Sequence, residues 1–313
     1  MSTTPLVSIL MNCYNGEKYL DDAINSVIGQ TYSNWELVFW DNQSVDSSKE
    51  IIESYCDKRI KYFFAPCHTD LGTARAEASK YFRGDYIAIL DADDVWMPEK
   101  LEKQLCLFND PDVGIVISDT LFFNEIDERP LYDGKYPPEG YVFRELLTSY
   151  FVSFETLMLR RSIVEKLAYG FDPDFSFIAD FDLVLRVAQI SKLSICRDVL
   201  SKWRVHESSD TWQSFSSFAE EREKWIKKQI NFNSEVDFST KYQSEISILH
   251  NNNLLGLAFT SLMLNKRREA LGYIVKTRFN KWRNYAILCL CFIPLAHKLL
   301  QSLQKRRIKR LLR

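Results

Sequence analysis

Apolar residues in the first 120 positions of the chain recur with two alternating periods. Runs at 6–11, 35–40, 60–64, 86–90 and 113–118 are almost continuously apolar, as strands buried on both faces are. Between them, 17–30, 46–55, 72–82 and 98–108 space apolar side chains three and four apart, the interval of an amphipathic helix. Asp46 and Ser47 suit the N-cap of the second of these helices, and Pro98 suits a first helical turn. Repeated strand–helix–strand units predict an α/β domain with a mostly parallel, Rossmann-like sheet and helices on both faces. From 119 to 150 the pattern loosens around Pro130, Gly134, Pro137, Pro138 and Gly140, which reads as a long connection. Beyond it, 154–159 is a candidate strand and 180–190 an amphipathic helix. Everything after Phe215 reads as helical. The expected division is residues 1–212 for the α/β domain and 213–313 for a helical C-terminal extension.

Composition narrows the class without naming a chemistry. The 313 residues are 46% hydrophobic and 26% charged, ordinary for a globular protein, and the net charge of −2 gives no reason to expect nucleic acid as a partner. Seven cysteines without a CxxC pair argue against a disulfide framework. Cys13, Cys56, Cys106 and Cys196 lie in or beside apolar stretches, where a reduced thiol packs as a small hydrophobe. Residues 1–5 lack the basic patch and apolar core of a signal peptide, so a reducing cytoplasm is the expected compartment. The C-terminus differs: 285–296 is continuously apolar, and Lys298, Lys305, Arg306, Arg307, Lys309, Arg310 and Arg313 follow with no acid among them. That apolar run is short of the roughly 20 residues a spanning helix needs. It suits peripheral contact with the anionic cytoplasmic face of a membrane. A buried terminal helix with a solvated basic end is the competing reading.

The densest chemistry lies in Gly84-Asp85-Tyr86-Ile87-Ala88-Ile89-Leu90-Asp91-Ala92-Asp93-Asp94, an apolar run that ends in three carboxylates. The carboxyl end of a strand in an open α/β sheet is where ligands bind. Carboxylates this close repel one another, and a hard divalent cation such as Mn²⁺ or Mg²⁺, shared with substrate phosphates, offsets that repulsion. A solvated acidic turn is the plainer alternative. There is no Gly-x-x-x-x-Gly-Lys loop, no His-Glu-x-x-His pair and no nucleophile elbow.

Four segments in order carry a resemblance. Val7 to Asn15 ends in Tyr14-Asn15; Trp40-Asp41-Asn42-Gln43-Ser44-Val45-Asp46 follows the second apolar run; Leu71-Gly72-Thr73-Ala74-Arg75-Ala76-Glu77-Ala78 precedes the acidic one; and Asp91-Ala92-Asp93-Asp94 closes it. Together they resemble the family 2 glycosyltransferases, and more weakly the likeness continues through Trp203-Arg204-Val205-His206, covering about two-thirds of the chain. The resemblance implies a GT-A fold, a nucleotide-sugar donor (UDP-sugar foremost), a divalent metal and an inverting single displacement. It implies Tyr14 and Asn15 beside the nucleobase and ribose, Asp41 as acceptor of a base N–H, and Arg75 near the phosphates. It also implies Asp91 on the ribose or on metal-bound water, Asp93 on the metal, Arg204 on the diphosphate and His206 completing the metal shell or touching the donor. Phe177-Ile178-Ala179-Asp180-Phe181-Asp182-Leu183 is similar to a Glu-Asp-x-Asp-Leu element, which makes Asp180 the general base, with Asp182 as fallback. Asn42 stands where a second acid is usual, Gln43 where glycine is usual, and Ala179 where glutamate is usual. The implied acceptor is a glycan or lipid-linked glycan in surface polysaccharide synthesis. A non-catalytic sugar-binding protein and a sugar nucleotidyltransferase are the rival readings.

Overall fold

The computed structural model describes residues 4–124, 127–206, 215–232, 238–277 and 282–293, together with 297, 298, 300 and 302. The basic positions at 305–313 and the acidic-polar stretch at 207–209 lie outside the described residues. The chain divides into two compact units: Met1–Phe143 with Tyr150–Arg204, and Arg144–Ser149 with Val205–Arg313.

The first unit is built on a nine-stranded mixed sheet. Its strands are β1 (Val7–Cys13), β2 (Trp35–Asp41), β3 (Ile60–Phe64), β4 (Tyr86–Ile89), β5 (Val95–Trp96), β6 (Val113–Phe123), β7 (Glu128–Pro130), β8 (Met158–Arg160) and β9 (Lys192–Arg204). They lie in the order β3-β2-β1-β4-β8-β6-β9-β5, with β7 paired to β6. The β3-β2-β1-β4 half is parallel, as the strand–helix alternation predicts. Its connections are α1 (Leu20–Ile28), α2 (Ser48–Ser54) and α3 (Leu71–Ser79), followed past β5 by α4 (Lys100–Cys106). Residues of β1 and β2 are buried along nearly their whole length, which explains their unbroken apolar runs.

Beyond β4 the pattern is less direct. The candidate strand at 154–159 is a 3₁₀ turn (Phe154–Thr156) followed by short β8, which inserts antiparallel between β4 and β6. Strand β9, thirteen residues long, has no periodic signature, because exposed Arg197 and Asp198 interrupt it. Its register against β6 jumps from Ser118↔Cys196 to Asp119↔Val199, so these two residues form a bulge. Short α6 (Arg161–Val164) and then α7 (Ala179–Ala188) complete the unit, and α7 begins one residue before Asp180. Cys13 is buried as expected, whereas Cys56 and Cys106 are exposed, so the packing role inferred for those two thiols is corrected.

The second unit is helical among its described residues. It contains α5 (Phe143–Thr148), α8 (Phe215–Phe232), α9 (Phe238–Lys241), α10 (Gln243–Met263), α11 (Arg267–Ile274) and α12 (Trp282–Phe292). Arg144 of α5 pairs with Glu245 of α10 and lies over the Tyr242 ring. Leu262, Ala270, Cys291 and Leu300 form one small core, and Leu255, Ala258 and Ile274 another.

Candidate functional site

The carboxyl ends of the parallel strands gather the polar loops. The loop after β1 is laced to the loop after β2: Asn15 N–H donates to Ser44 Oγ (3.0 Å), Val45 N–H to Asn15 Oδ1 (2.9 Å), and Gly16 N–H to Ser48 Oγ (2.9 Å). Asn15 (φ 54°) and Gln43 (φ 72°) both occupy the left-handed region. Gln43 therefore adopts the conformation that makes glycine usual at its position, at a cost of about 1 kcal/mol. Tyr14 is half exposed and its ring lies 4.3 Å from that of His68, which the sequence did not single out. Asn42 is buried and holds the next loop, donating to the Thr69 carbonyl (2.7 Å) and accepting from Thr69 N–H (3.2 Å).

Asp41 closes β2. It is completely buried, with Oδ1 accepting from Ser44 N–H (2.7 Å) and Oδ2 from the Tyr62 hydroxyl (2.9 Å). These two bonds tie the carboxylate to the end of β2 and leave each oxygen with a further lone pair.

The acidic segment sits at the end of β4. Leu90 N–H still bonds to Leu10 across the sheet (3.0 Å), and Asp94 N–H closes a turn onto the Asp91 carbonyl (3.1 Å). The turn leaves Asp91 recessed but reachable, whereas Asp94 is buried. Arg75 projects from α3, whose N-cap Asp70 accepts from Thr73 N–H. It is buried, reaches Asp91 at 3.3 Å and lies 4.4 Å from the centre of the Phe154 ring. Glu77 and Asp85, the other acids near Arg75 along the chain, are engaged with Lys80 and with Leu6 N–H. Burial pushes the Asp91 carboxyl up from its ordinary range; Arg75 pulls it down, while the charges of Asp93 and Asp180 push it further up. Asp91, Asp93, Asp180 and Arg75 thus share one electrostatic neighbourhood, although Asp180 comes from α7. In the first turn of that helix the dipole favours its negative charge. The fallback Asp182 is fully buried and bound to Arg186 (2.5 Å), so it is structural.

Arg204, at the end of β9, grips the acidic loop. Its N–H donates to Asp94 Oδ1, its Nε to the Asp93 carbonyl and a terminal nitrogen to Asp22, each at 2.8 Å. The Tyr19 and Phe123 rings flank the guanidinium at 4.4 and 4.5 Å. Arg204 thereby clamps the Asp93–Asp94 turn. His206 is partly exposed two residues beyond β9 and falls within the second unit.

Beneath the loop lies a buried polar network that sequence reasoning missed. Glu155 and Asp94 are both buried, and both carboxyls are pushed up, first by burial; the charge of Glu155 raises Asp94 further. Lys100 is fully buried, donates to Gln104 (2.5 Å) and lies 4.4 Å from the Trp96 ring centre. Trp96 Nε1 donates to the Glu155 carbonyl (2.8 Å). Nothing local marks Glu155 or Lys100 as buried, since both types usually face solvent.

Among the described residues no three His, Cys, Asp or Glu side chains converge as a ready metal cage. A hard cation held by one or two carboxylates and completed by phosphate oxygens needs no such cage. The hard-oxygen set around Asp91 and Asp93 fits it.

The sequence and the fold are matched by known proteins. The model of glycosyl transferase family 2 matches residues 8–168, half of the chain. The chain belongs to that family. A glycosyltransferase of Methanocaldococcus jannaschii is 35% identical over 211 residues, 64% of this chain and 71% of that protein. UDP-Glc:alpha-D-GlcNAc-diphosphoundecaprenol beta-1,3-glucosyltransferase WfgD of Escherichia coli is 29% identical over 222 residues, 70% of this chain and 84% of its own. Among solved structures, mannosyltransferase PcManGT from Pyrobaculum calidifontis, in complex with GDP-Man and Mn²⁺, matches with a TM-score of 0.63 at 16% identity, covering 99% of this chain and 86% of that one. S. aureus TarS in complex with UDP-GlcNAc gives 0.57 at 16% identity over 85% of this chain and 88% of that one. The fold is accordingly GT-A, a curled and mostly parallel sheet flanked by helices, here with a helical C-terminal region. Family membership displaces the nucleotidyltransferase reading.

Proposed function

We propose that this glycosyltransferase is a metal-dependent inverting enzyme that moves a sugar from a UDP-sugar to the hydroxyl of a lipid-linked glycan in polysaccharide synthesis. The observation that carries the reading is the meeting of Asp180, from α7, with Asp91, Asp93 and Arg75 at the end of β4. Asp180 takes the proton of the acceptor hydroxyl as that oxygen attacks the anomeric carbon, which requires hydrogen-bond reach on the face opposite the leaving group. Asp93 would hold Mn²⁺ or Mg²⁺, and the cation would supply charge neutralisation to the departing diphosphate. Arg75 balances the acids while Asp91 faces the donor ribose. Tyr14 and His68 offer aromatic surface for the nucleobase. The donor class is supported by what WfgD and TarS are named for or bound to, and the lipid-linked acceptor by the name of WfgD. Action at the cytoplasmic membrane face, with the C-terminal segment in peripheral contact, agrees with that acceptor. No helix among the described residues is long and apolar enough to cross a membrane.

The test is donor binding and slow hydrolysis across UDP-, GDP-, dTDP- and CMP-sugars with Mn²⁺ or Mg²⁺. Saturable UDP-sugar binding that chelation abolishes, that Asp93→Ala loses and that Asp180→Asn keeps while transfer stops, is the expected result. Binding insensitive to chelation would refute the metal assignment. Equal loss of binding and transfer in Asp180→Asn would make that residue structural.

A further inference from the structure

The last helix is apolar on two opposite sides. Ile287, Leu290 and Cys291 of α12 pack against Leu262, Ala270 and Leu271. At about 100° per residue, Tyr285, Cys289 and Phe292 project on the other side, and Ile293 follows one residue past the helix. All four are exposed, Phe292 at 68% and Ile293 at 46%. A surface helix with one packed stripe normally turns charged or polar residues outward. This one turns out aromatic and aliphatic groups, and Val275, just past α11, is 63% exposed as well.

The charge of the chain is distributed to match. Residues 264–313 carry 14 Lys and Arg against one acid, Glu269, whereas the first 263 carry 26 Lys and Arg against 41 Asp and Glu. A nearly neutral protein is therefore strongly polarised, with its cations in the same fifty residues as the exposed apolar face. Arg268, Lys276 and Lys298 are all exposed in that segment. The eleven residues of α12 rise about 17 Å, against roughly 30 Å of hydrocarbon in a bilayer. Such a helix lies in the interfacial plane and does not span. A second protein surface would be met equally well by a neutral apolar patch. The excess of thirteen positive charges distinguishes an anionic surface as the occupant.

We infer that the face formed by Tyr285, Cys289 and Phe292 of α12 and by Ile293 just past it, with the exposed cations Arg268, Lys276 and Lys298, is a docking surface for an anionic lipid bilayer. This deepens the proposed peripheral membrane contact and rests on that reading. The face seats in the headgroup–acyl boundary while Arg and Lys meet lipid phosphates, bringing the enzyme to the plane where a lipid-linked acceptor resides.

The experiment is sedimentation of the full chain with vesicles of phosphatidylcholine alone or mixed with phosphatidylglycerol. Binding is expected only to the mixed vesicles and should weaken with salt. Phe292→Ser with Ile293→Ser should lower the partition coefficient at least about tenfold, since two side chains no longer enter the apolar layer. Arg268→Glu with Lys276→Glu should lower it by a similar factor. Circular dichroism and melting of each variant confirm folding. Equal binding to phosphatidylcholine alone, or unchanged binding in the folded Phe292→Ser, Ile293→Ser variant, would overturn the inference. So would a dimer in light scattering that this variant dissolves without any vesicle binding by the parent, because the face would then belong to a second copy. Vesicle binding needs no sugar nucleotide, so its failure would leave donor turnover, and the transfer reading, standing.

Discussion

Gly72 offers the sharpest test of how the site is assembled. It is the second residue of α3, and alanine is preferred to glycine in a helix by about 1 kcal/mol, so Gly72→Ala would ordinarily stabilise. Here a Cβ would lie 2.5 Å from the Phe175 carbonyl oxygen, 2.8 Å from its carbon and 3.0 Å from the Pro173 oxygen. These are backbone atoms with no side-chain freedom to yield. The 172–176 segment is also tied to α3 by Gly72 N–H to Ser176 Oγ (3.2 Å) and Ser176 Oγ to Asp70 (2.9 Å). Relieving the overlap separates the two by about 1 Å, and such overpacking costs about 1–3 kcal/mol. The clash outweighs the propensity gain by up to about 2 kcal/mol, or a loss of several degrees in Tm. The consequence for catalysis is larger, because α3 carries Arg75 and the 172–176 segment leads into Asp180. A misplacement of about 1 Å can cost 10²-fold in rate. Thermal melting and donor turnover should both fall. Gly256 is the internal control: it sits within α10, and a methyl group added there would meet nothing within 4 Å, so Gly256→Ala should stabilise by about 0.5–1 kcal/mol and leave turnover unchanged. A Gly72→Ala protein that melts at or above the parent temperature with parental turnover would refute the reasoning.

Further outcomes follow from the same geometry. Arg204→Lys keeps the charge but loses the planar fork that reaches Asp93 and Asp22 together; donor turnover should drop about tenfold or more with normal melting, and parental turnover would show that the clamp is dispensable. Asp41→Asn should cost about 1–3 kcal/mol by disturbing the Tyr62 and Ser44 bonds, while UDP affinity shifts less than about threefold; a selective loss of UDP binding would make Asp41 a base reader. Burial lowers the Lys100 ammonium from its ordinary 10.5 to about 7, against the pull of Glu155. Between those values the unfolded chain holds a proton that the folded chain has released, so stability should rise with pH across that window. Lys100→Met should flatten that rise in denaturant midpoints, and an unchanged slope would exclude Lys100 as its source.

What the sequence determined by itself was what short-range spacing can encode. The β1–β4 half, the helices between its strands and the helical C-terminus follow from apolar periodicity, because each segment's burial is written in its own residues. The run into Asp91 and Asp93 marked the ligand end of the sheet for the same reason, and Tyr14, Asn15, Arg75 and Asp180 came with motifs that stand close to strand and helix ends. Strand β9 escaped because the Arg197-Asp198 bulge breaks its alternation, and the end of β8 because three residues carry no period. The roles of individual polar groups were decided only by tertiary structure. Asp41 is tied to Tyr62, Asp182 to Arg186 within a sealed core, and Arg204 to partners 110, 111 and 182 positions away. Lys100 and Glu155 are both held in the interior despite types that ordinarily face water. Whether a carboxylate or guanidinium is available to a substrate depends on which donors and acceptors the fold has already set against it. That pairing is a property of chain segments brought together from far apart, and no local pattern contains it.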